Sequence, residues 1–271
     1  MGAPALVEAP DVFVSRILRV ASYNVHGCLG WDGRRDVGRI VRILRAIDAD
    51  VIGLQEVESR HGRSDIDQAE RFAAALGMAC IEGPLLHHAK RGWFGNALLT
   101  RLEVQAVERV LFDSCGGEAR GAILCDLLAG DGTCWRVMST HLDLRSRHRR
   151  RQFATLLDQL VPSPRQPTVL MGDFNEWWSR SRGLATLRDH AELPPSPPSF
   201  PSWLPALRLD RIALSGCRLQ GAVRRHLTPL TRRASDHLPI FADVVADPVS
   251  AIVQPTSPEM DAAAAPVGVA R

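Results

Sequence analysis

Hydrophobic and polar residues alternate in short segments along most of the chain, with longer segments of helical periodicity between them. Residues 17–25 alternate in this way and stop before Gly27, which predicts a strand that ends in a turn. The next apolar residues recur at spacings of three and four, which predicts an amphipathic helix; they are Val37, Ile40, Val41, Leu44 and Ile47. This alternation of strand and helix patterns indicates the α/β class.

The same periodicities predict the remaining elements. Two more helices are expected over residues 68–76 and 146–160, the first of them closed by Gly77. Further strands are expected over residues 50–57, 96–100, 104–112, 120–128, 133–142, 168–174, 207–215 and 238–245. So many strands favour two packed sheets flanked by helices over an all-helical or dinucleotide-binding arrangement. We expect one domain over residues 15–246, with flexible tails over residues 1–14 and 247–271.

Composition narrows the class of protein without indicating its chemistry. The hydrophobic fraction of 45% and charged fraction of 23% are typical of a soluble globular protein and exclude disordered, collagen-like and membrane classes. A net charge of +3 is too small to indicate a nucleic-acid or membrane partner by itself. The cysteines form no CxxC pair, and no apolar run has the length of a membrane span. We expect reduced thiols, a cytoplasmic location, no transmembrane segment and no obligate protein partner.

Polar side chains that can bind a metal or move a proton recur at the ends of the predicted strands. They are Asn24, Glu56, His141, Asp173, Asn175, Asp210, Asp236 and His237. Taken singly, each is more typical of a turn, a helix cap or a hydrogen-bonded histidine. Taken together, they place several carboxylates beside apolar segments, where buried charges need partners or a metal.

The types of these residues indicate phosphate chemistry. Glu56, Asp236 and Asn24 offer oxygen ligands without cysteine, which suits Mg²⁺ or Mn²⁺ and argues against structural zinc. Such an ion can bind a phosphoryl oxygen, while an acidic residue activates water and imidazoles stabilise charge or protonate the leaving group. The glycine-rich loops of nucleotide-binding proteins are absent from the sequence. The pattern therefore predicts metal-assisted hydrolysis of phosphate esters.

Seven short motifs occur in a fixed order, namely SYNVHG, LQEV, GNALLT, STHL, GDFN, LDRI and SDHLP. In this order, over about residues 17–246, the chain resembles the endonuclease/exonuclease/phosphatase superfamily, and within it a small bacterial single-domain branch of deoxyribonuclease-like phosphoesterases. The resemblance implies a four-layered α/β/β/α sandwich of two mixed sheets flanked by helices, with the site at one sheet edge. It also implies a hydrolase that depends on a divalent metal.

Roles for the metal ligands and the base are carried over from this resemblance position by position. Glu56 is expected to be the principal metal ligand, helped by Asn24 and Asp236. Asp173 and Asn175 are expected to hold the attacking water and the scissile phosphate, with Asp173 as the base.

The resemblance also implies roles for the imidazoles and for one arginine. His237 is expected to contact phosphate, and Asp210 to fix the tautomer of its ring. His141 is expected to bind phosphate or protonate the leaving group, oriented by Glu82. Arg120 matches a phosphate-contacting arginine, with a strand-edge salt bridge as the alternative.

Two segments bear on the substrate. Residues 145–151 contain five arginines at a helix start, which suits a polyanion such as a nucleic-acid backbone or an anionic membrane surface. A solvated helix face, with an arginine and a glutamine anchoring the helix under the site, is the alternative. The proline-rich segment 193–205 is expected to be a stiff loop whose Phe200 and Trp203 either line the cleft or pack on the body.

The residues after GDFN are also ambiguous in role. Glu176 is expected to be a turn or cap residue. Trp177 and Trp178 either pack the next helix against the sheet or form an apolar wall beside the substrate.

Three functional hypotheses follow from the sequence. The leading one is a phosphodiesterase, with a nuclease-like or phospholipid-related substrate, that acts by in-line attack of an activated water. The second is a phosphomonoesterase that acts on a small or lipid-headgroup phosphate. The third is a binding module that kept the fold and lost the chemistry, which is disfavoured because every core position of the motifs is present.

Overall fold

The computed structural model describes residues 17–59, 67–88, 92–113, 118–160 and 166–248. The strands are β1 (Leu18–Asn24), β2 (Val51–Ser59), β3 (Ala79–His88), β4 (Gly92–Thr100), β5 (Glu103–Leu111), β6 (Gly121–Leu128), β7 (Cys134–His141), β8 (Thr168–Asp173), β9 (Asp210–Ser215), β10 (Cys217–Arg225) and β11 (Ile240–Ala246). The helices are α1 (Val37–Ile47), α2 (Gln68–Leu76), α3 (Ser146–Leu160), α4 (Arg182–Arg188) and α5 (Thr231–Ala234), and a 3-10 turn spans His26–Cys28. Apart from Asp247 and Pro248, the predicted tails lie outside the described residues.

The strands form two sheets. The first has the order β10-β11-β1-β2-β4-β3, and the second has the order β5-β6-β7-β8-β9. β1 runs parallel to β2 and β7 runs parallel to β8, whereas the other neighbouring pairs are antiparallel. Both sheets are therefore mixed, as predicted.

The two-residue period of β1 shows how the layers are held together. Leu18 and Val20 join the core between the two sheets, whereas Ala21 and Tyr23 join a core beneath α1 and α2. A third core lies between the second sheet and the helices α3 and α4. Burial of both faces of each sheet yields the order helix, sheet, sheet, helix, which confirms the predicted four-layered sandwich.

The three predicted helices, α1, α2 and α3, begin and end where the sequence patterns indicate. α1 begins after Asp36, whose carboxylate accepts a hydrogen bond from the N–H of Arg39. α2 ends at Gly77, which adopts a left-handed φ of 64° as its role as a helix terminator requires. Among the described residues, none of these helices is long and apolar enough to cross a membrane.

The strand predictions missed the two outermost strands of the first sheet, β3 and β10. Both lie at sheet edges, and both are interrupted by a register shift, between Pro84 and Leu86 in β3 and between Gln220 and Arg224 in β10. A proline or a glycine stands at each interruption, Pro84 and Gly221, and weakens the strand pattern of the sequence. β9 begins at Asp210, three residues later than predicted, because the chain before it folds back and pairs Phe200 with Leu207. The helices α4 and α5 were also unpredicted.

Candidate active site

The strand ends that carry the predicted polar residues meet at one edge of the two sheets. They surround a cleft of about 420 Å³, and seven of the ten predicted site residues line it: Glu56, Arg120, His141, Asp173, Asn175, Asp236 and His237. Asn24 and Asp210 lie directly behind, hydrogen-bonded to residues of the lining. The parallel pairs β1–β2 and β7–β8 explain this convergence, because their carboxyl ends lie at the same edge.

The GDFN segment places Asp173 and Asn175 through its backbone. A Cβ atom on Gly172 would lie 2.0 Å from the carbonyl oxygen of Thr140 in β7, so only glycine allows this close approach. Asn175 has a left-handed φ of 50°, and its backbone N–H donates to Asp173 Oδ1 at 2.9 Å. Phe174 points away into the core and packs edge-on against Phe153. The two polar side chains are therefore held in the cleft by rigid neighbours.

Asn24 holds two carboxylates of the site in position. Its amide nitrogen donates to Glu56 Oε1 at 2.9 Å and to Asp173 Oδ2 at 3.1 Å, while its amide oxygen accepts the N–H of His26. Glu56 has a left-handed φ of 56° within a register shift of the β2–β4 pairing, a type of irregularity common beside functional sites. The amide oxygen that was predicted to bind metal is thus turned toward the backbone.

His237 lies between two carboxylates. Its Nδ1 is 2.8 Å from Asp210 Oδ2, and its Nε2 is 3.5 Å from Asp173 Oδ2. Burial by itself would lower the pKa of His237, but the negative charges of Asp210 and Asp173 outweigh it and raise that pKa to about 10. The ring is therefore a cation at neutral pH, with N–H groups directed at both carboxylates.

His141 has the opposite charge preference. Burial, followed by the positive charges of Arg120 and His237, holds the pKa of His141 well below its usual range. Its Nδ1 lies 2.8 Å from Arg120 Nη1, and because arginine has only donors, Nδ1 must accept. The proton of the neutral ring then resides on Nε2, which is 3.5 Å from Asp173 Oδ2. The Asn175 amide nitrogen, 3.1 Å from Nε2, is itself a donor and donates to the carbonyl oxygen of Leu142.

Asp173 lies between these two imidazoles and is buried. Burial raises its pKa to about 6, with Asp210 acting in the same direction and the positive charge of His237 opposing it. A carboxylate with such a pKa is ionised at neutral pH and is a stronger base than an exposed aspartate.

The structure does not bring Glu82 to His141. Glu82 lies exposed on β3, at the far edge of the other sheet, and lines a separate small depression. Arg120 occupies the Nδ1 side of the His141 ring instead, because β6 pairs with β7 so that Gly121 stands opposite His141. Glu118 in turn lies 2.7 Å from Arg120. The predicted carboxylate–histidine pair is therefore replaced by a Glu118–Arg120–His141 chain.

Two sets of side chains could hold a divalent ion. Glu56 and Asp236 are half-buried carboxylates on the cleft wall, and no thiol belongs to the described lining. Asp173, Asp210 and His237 also offer ligand atoms within 4.8 Å of one another. Asp210 Oδ2, however, is already contacted by both His237 and the Ser199 hydroxyl. The oxygen-rich set on the cleft wall fits a hard divalent ion better.

Several apolar residues that line the cleft were not predicted. Phe94, Leu144 and Leu207 lie close to motif residues, and Leu209 is the first residue of the motif LDRI. The proline-rich loop does contribute Phe200, whose ring centre lies 4.9 Å from that of His237. Trp203 of the same loop is not among the residues that line the cleft.

The basic segment at the start of α3 divides into two parts. Arg149 is buried and donates to the Glu176 carboxylate at 3.1 Å and to the carbonyl oxygens of Asp143 and Leu144. Glu176 also accepts the N–H of Trp178, as expected of a turn residue. The other four arginines of residues 145–151 are exposed. One arginine therefore anchors the loops after β7 and β8, and the rest lie on the exposed side of the helix start.

Comparison with known proteins identifies relatives of this arrangement. The model of the Endonuclease/Exonuclease/phosphatase family matches residues 21–237. The uncharacterized protein YbhP of Escherichia coli (strain K12) is 28% identical over 253 residues, which cover 87% of this chain and 99% of YbhP.

Two solved structures share the fold. An endonuclease/exonuclease/phosphatase from Beutenbergia cavernae DSM 12333 has a TM-score of 0.70 at 22% identity, with 86% of this chain and 72% of that one covered. The human Nocturnin catalytic domain has a TM-score of 0.67 at 20% identity, with 85% of this chain and 94% of that one covered.

Proposed function

Because the chain belongs to the endonuclease/exonuclease/phosphatase family, we propose that it hydrolyses phosphodiesters by in-line attack of an activated water. The observation that carries this proposal is the buried Asp173, which lies 3.5 Å from a cationic imidazole on one side and from a neutral imidazole on the other. Groups whose environments separate their pKa values in this way are typical of acid–base pairs. The Nocturnin domain, which shares the fold, binds a sulfate anion, a tetrahedral oxyanion like phosphate.

The protein's own groups account for the proton transfer and the charge stabilisation. Asp173 takes a proton from the attacking water, since its raised pKa of about 6 makes it an effective base while it stays ionised at neutral pH. The His237 imidazolium and the Nε2–H of His141 donate hydrogen bonds to the phosphoryl oxygens as negative charge builds up on them. Arg120 keeps the His141 proton on Nε2, and Asp210 keeps His237 charged.

We place a divalent ion, Mg²⁺ or Mn²⁺, on Glu56 and Asp236. Both carboxylates face the open cleft, and Asn24 fixes the first of them by a hydrogen bond. When bound, the ion would supply positive charge that offsets the charge of the phosphate. In this assignment the buried carboxylate of Asp210 hydrogen-bonds to His237 and does not bind the ion.

A diester is favoured over a monoester because the cleft does not end at the scissile phosphate. Leu144 and Trp177 line both the cleft and a second groove of about 620 Å³, so the two are adjacent. A group esterified on the far side of the phosphate would have room to lie there. A phosphomonoesterase would use the same polar residues and leave this groove without a role.

The proposal is tested by Asp173→Asn, which keeps the shape of the side chain and removes the base. We expect hydrolysis of bis-p-nitrophenyl phosphate in the presence of Mg²⁺ to fall by about a thousandfold. Asp158→Asn, an exposed aspartate on α3, serves as the control and should keep the wild-type rate. Circular dichroism should show that both variants are folded. A wild-type rate in folded Asp173→Asn would refute the mechanism.

A substrate panel distinguishes the diester from the alternatives. Single-stranded DNA, RNA, glycerophosphodiesters and inositol phosphates should be compared at equal enzyme and Mg²⁺ concentration. We expect turnover of at least one diester class. Turnover of monoesters alone would favour a phosphatase, and no metal-dependent turnover of any substrate would favour a binding module.

A further inference from the structure

Five of the six tryptophans are exposed, and all five lie at the end of the sandwich that carries the cleft. Trp31 follows β1, Trp177 and Trp178 follow β8, Trp203 precedes β9, and Trp93 stands opposite the end of β2. The sixth, Trp135, is buried at the opposite end of β7. Tryptophan usually contributes to stability by burying its large ring, so this one-sided exposure calls for an external partner.

Exposed leucines accompany some of these tryptophans. Leu144 is 66% exposed beside Trp177 and Trp178, which are 58% and 66% exposed. Leu204 is 61% exposed next to Trp203 at 52%. We call these five residues the apolar rim. The rim has two parts: Leu144, Trp177 and Trp178 border the cleft and its adjoining groove, and Trp203 and Leu204 belong to the loop whose Phe200 lines the cleft.

Arginines are interleaved with the first part of the rim. The groove beside Trp177 and Trp178 is lined by Arg149, Arg150, Arg180 and Arg182, and its one acidic residue, Glu176, is buried and paired with Arg149. The guanidinium groups of the other three belong to exposed residues. The surface is therefore apolar and cationic together, which complements an anionic and amphiphilic partner.

The geometry of the rings favours a lipid surface over a nucleic acid. Bases stack on flat aromatic faces, and the exposed leucines offer none. Trp203 packs edge to face with Trp31 at an interplanar angle of 84°, and Arg149 lies over the Trp177 ring at 5.7 Å. At a membrane interface, by contrast, tryptophan, leucine and arginine side chains are all accommodated at the level of the headgroups.

We propose that the cleft end of the protein binds the surface of an anionic phospholipid bilayer, with both parts of the apolar rim inserted at the headgroup level. In this orientation the cleft opens toward the headgroups. If the proposed hydrolysis also holds, which this second step requires, the substrate is a phosphodiester of a lipid headgroup. Trp31 supports the second part of the rim, since its Nε1–H donates to Ser202 at 2.9 Å, next to Trp203.

Binding is tested by co-sedimentation of the full chain with vesicles of phosphatidylcholine alone and of phosphatidylcholine mixed with phosphatidylglycerol. We expect binding to the anionic vesicles, a blue shift of tryptophan fluorescence, and weaker binding as salt is raised. The affinity of the double variant Trp178→Ala/Trp203→Ala for these vesicles should be lower by a factor of about ten or more, because it removes a ring from each part of the rim. Arg180→Gln/Arg182→Gln should bind more weakly and lose most of the salt dependence.

The matched control is Ile17→Ala, which removes an exposed apolar side chain from the opposite end of the sandwich and should bind as the wild type does. Absence of wild-type binding to anionic vesicles would overturn the proposal, as would equal binding by the tryptophan variant. A loss of affinity for single-stranded DNA in the same variants, without a change in vesicle binding, would overturn it in favour of nucleic acid.

Hydrolysis of soluble bis-p-nitrophenyl phosphate separates this proposal from the catalytic one. Trp203 lines neither the cleft nor the adjoining groove, so the single variant Trp203→Ala should hydrolyse the soluble diester at the wild-type rate while it binds anionic vesicles more weakly. Vesicle binding without any hydrolysis by the wild type would refute the catalytic proposal alone. Hydrolysis without vesicle binding would refute the membrane proposal alone.

Discussion

Burial and the neighbouring charges together decide the charge state of each imidazole. Asp210 and Asp173 make His237 a cation against the effect of burial, whereas burial, reinforced by Arg120 and His237, keeps His141 neutral, although both rings lie 3.5 Å from Asp173. A buried cation beside Asp173 also keeps that carboxylate ionised despite the burial that raises its pKa. The reactivity of the site therefore depends on which partner each histidine has, and sequence motifs do not contain that information.

Gly172 is the residue on which the position of Asp173 depends most directly. Its φ of 155° and the 2.0 Å approach to Thr140 leave no space for a Cβ atom, and the obstruction is backbone that cannot move aside. We expect Gly172→Ala to destabilise the protein by roughly 4 kcal/mol or more, as overpacking and backbone strain add. The measurement is the free energy of unfolding in urea.

Gly77→Ala is the matched control for Gly172→Ala. Gly77 also has a positive φ, 64°, but a Cβ atom there would meet nothing within 4 Å. This variant should lose only about 1 kcal/mol, the cost of a left-handed conformation for alanine. Equal losses for both variants would show that the backbone angle, and not the approach of β7, restricts position 172.

At the scale of elements, α3 fastens the two loops that carry the site. Arg149 reaches from α3 to the carbonyl oxygens of Asp143 and Leu144 in the loop after β7, and to Glu176 in the loop after β8. Both members of the ion pair are buried. Removal of one partner would leave an uncompensated charge inside the protein.

We therefore predict that Arg149→Met destabilises the protein by about 3–5 kcal/mol, measured by urea unfolding. The double variant Arg149→Met/Glu176→Gln should recover part of this loss, because the unpaired carboxylate is gone. Arg147→Met, an exposed neighbour on the same helix, should change stability by no more than about 0.5 kcal/mol. No recovery in the double variant would mean that the carbonyl contacts, and not the ion pair, stabilise the loops.

The helices and strands differ in how well the sequence predicts them. The helices α1, α2 and α3 were predicted within their observed bounds, because apolar stripes such as Ile40, Leu44 and Ile47 face a core. The strands β3 and β10 were missed, because Pro84 and Gly221 interrupt their patterns at the points where the pairing shifts register. The ordered motifs located eight of the ten predicted residues at or directly behind the cleft, and Arg120, predicted from its position along the chain, lines it as well.

The failures at the site concern partners and not positions. Glu82 was predicted beside His141 by analogy of position along the chain, but the neighbour of His141 is decided by the register of β6 on β7, which places Arg120 there. Asn24 was predicted as a metal ligand only, and its hydrogen bonds to Glu56, Asp173 and the N–H of His26 were not foreseen. Pairing register and local hydrogen bonds depend on three-dimensional contacts that residue spacing does not specify.

For the molecule as a whole, the cleft and the main core are separate in space. The core between the sheets includes Trp135, Val137 and Leu18 at the end remote from the cleft. The fold should therefore persist without a divalent ion, while the carboxylates of the cleft repel one another. An ion bound to Glu56 and Asp236 would remove that repulsion and stabilise only the folded state.

We predict that Mg²⁺ raises the free energy of unfolding of the wild type, by roughly 3 kcal/mol at a hundredfold excess over its Kd, and that chelation leaves circular dichroism unchanged. Glu56→Gln should lose this Mg²⁺ effect yet, in chelator, stay within about 1 kcal/mol of the wild type, because one repulsive charge is gone. Asp158→Asn, remote from the cleft on α3, should keep the full Mg²⁺ effect. If Mg²⁺ stabilised Glu56→Gln as much as the wild type, the ion would instead be assigned to Asp173, Asp210 and His237, whose ligand atoms lie within 4.8 Å of one another.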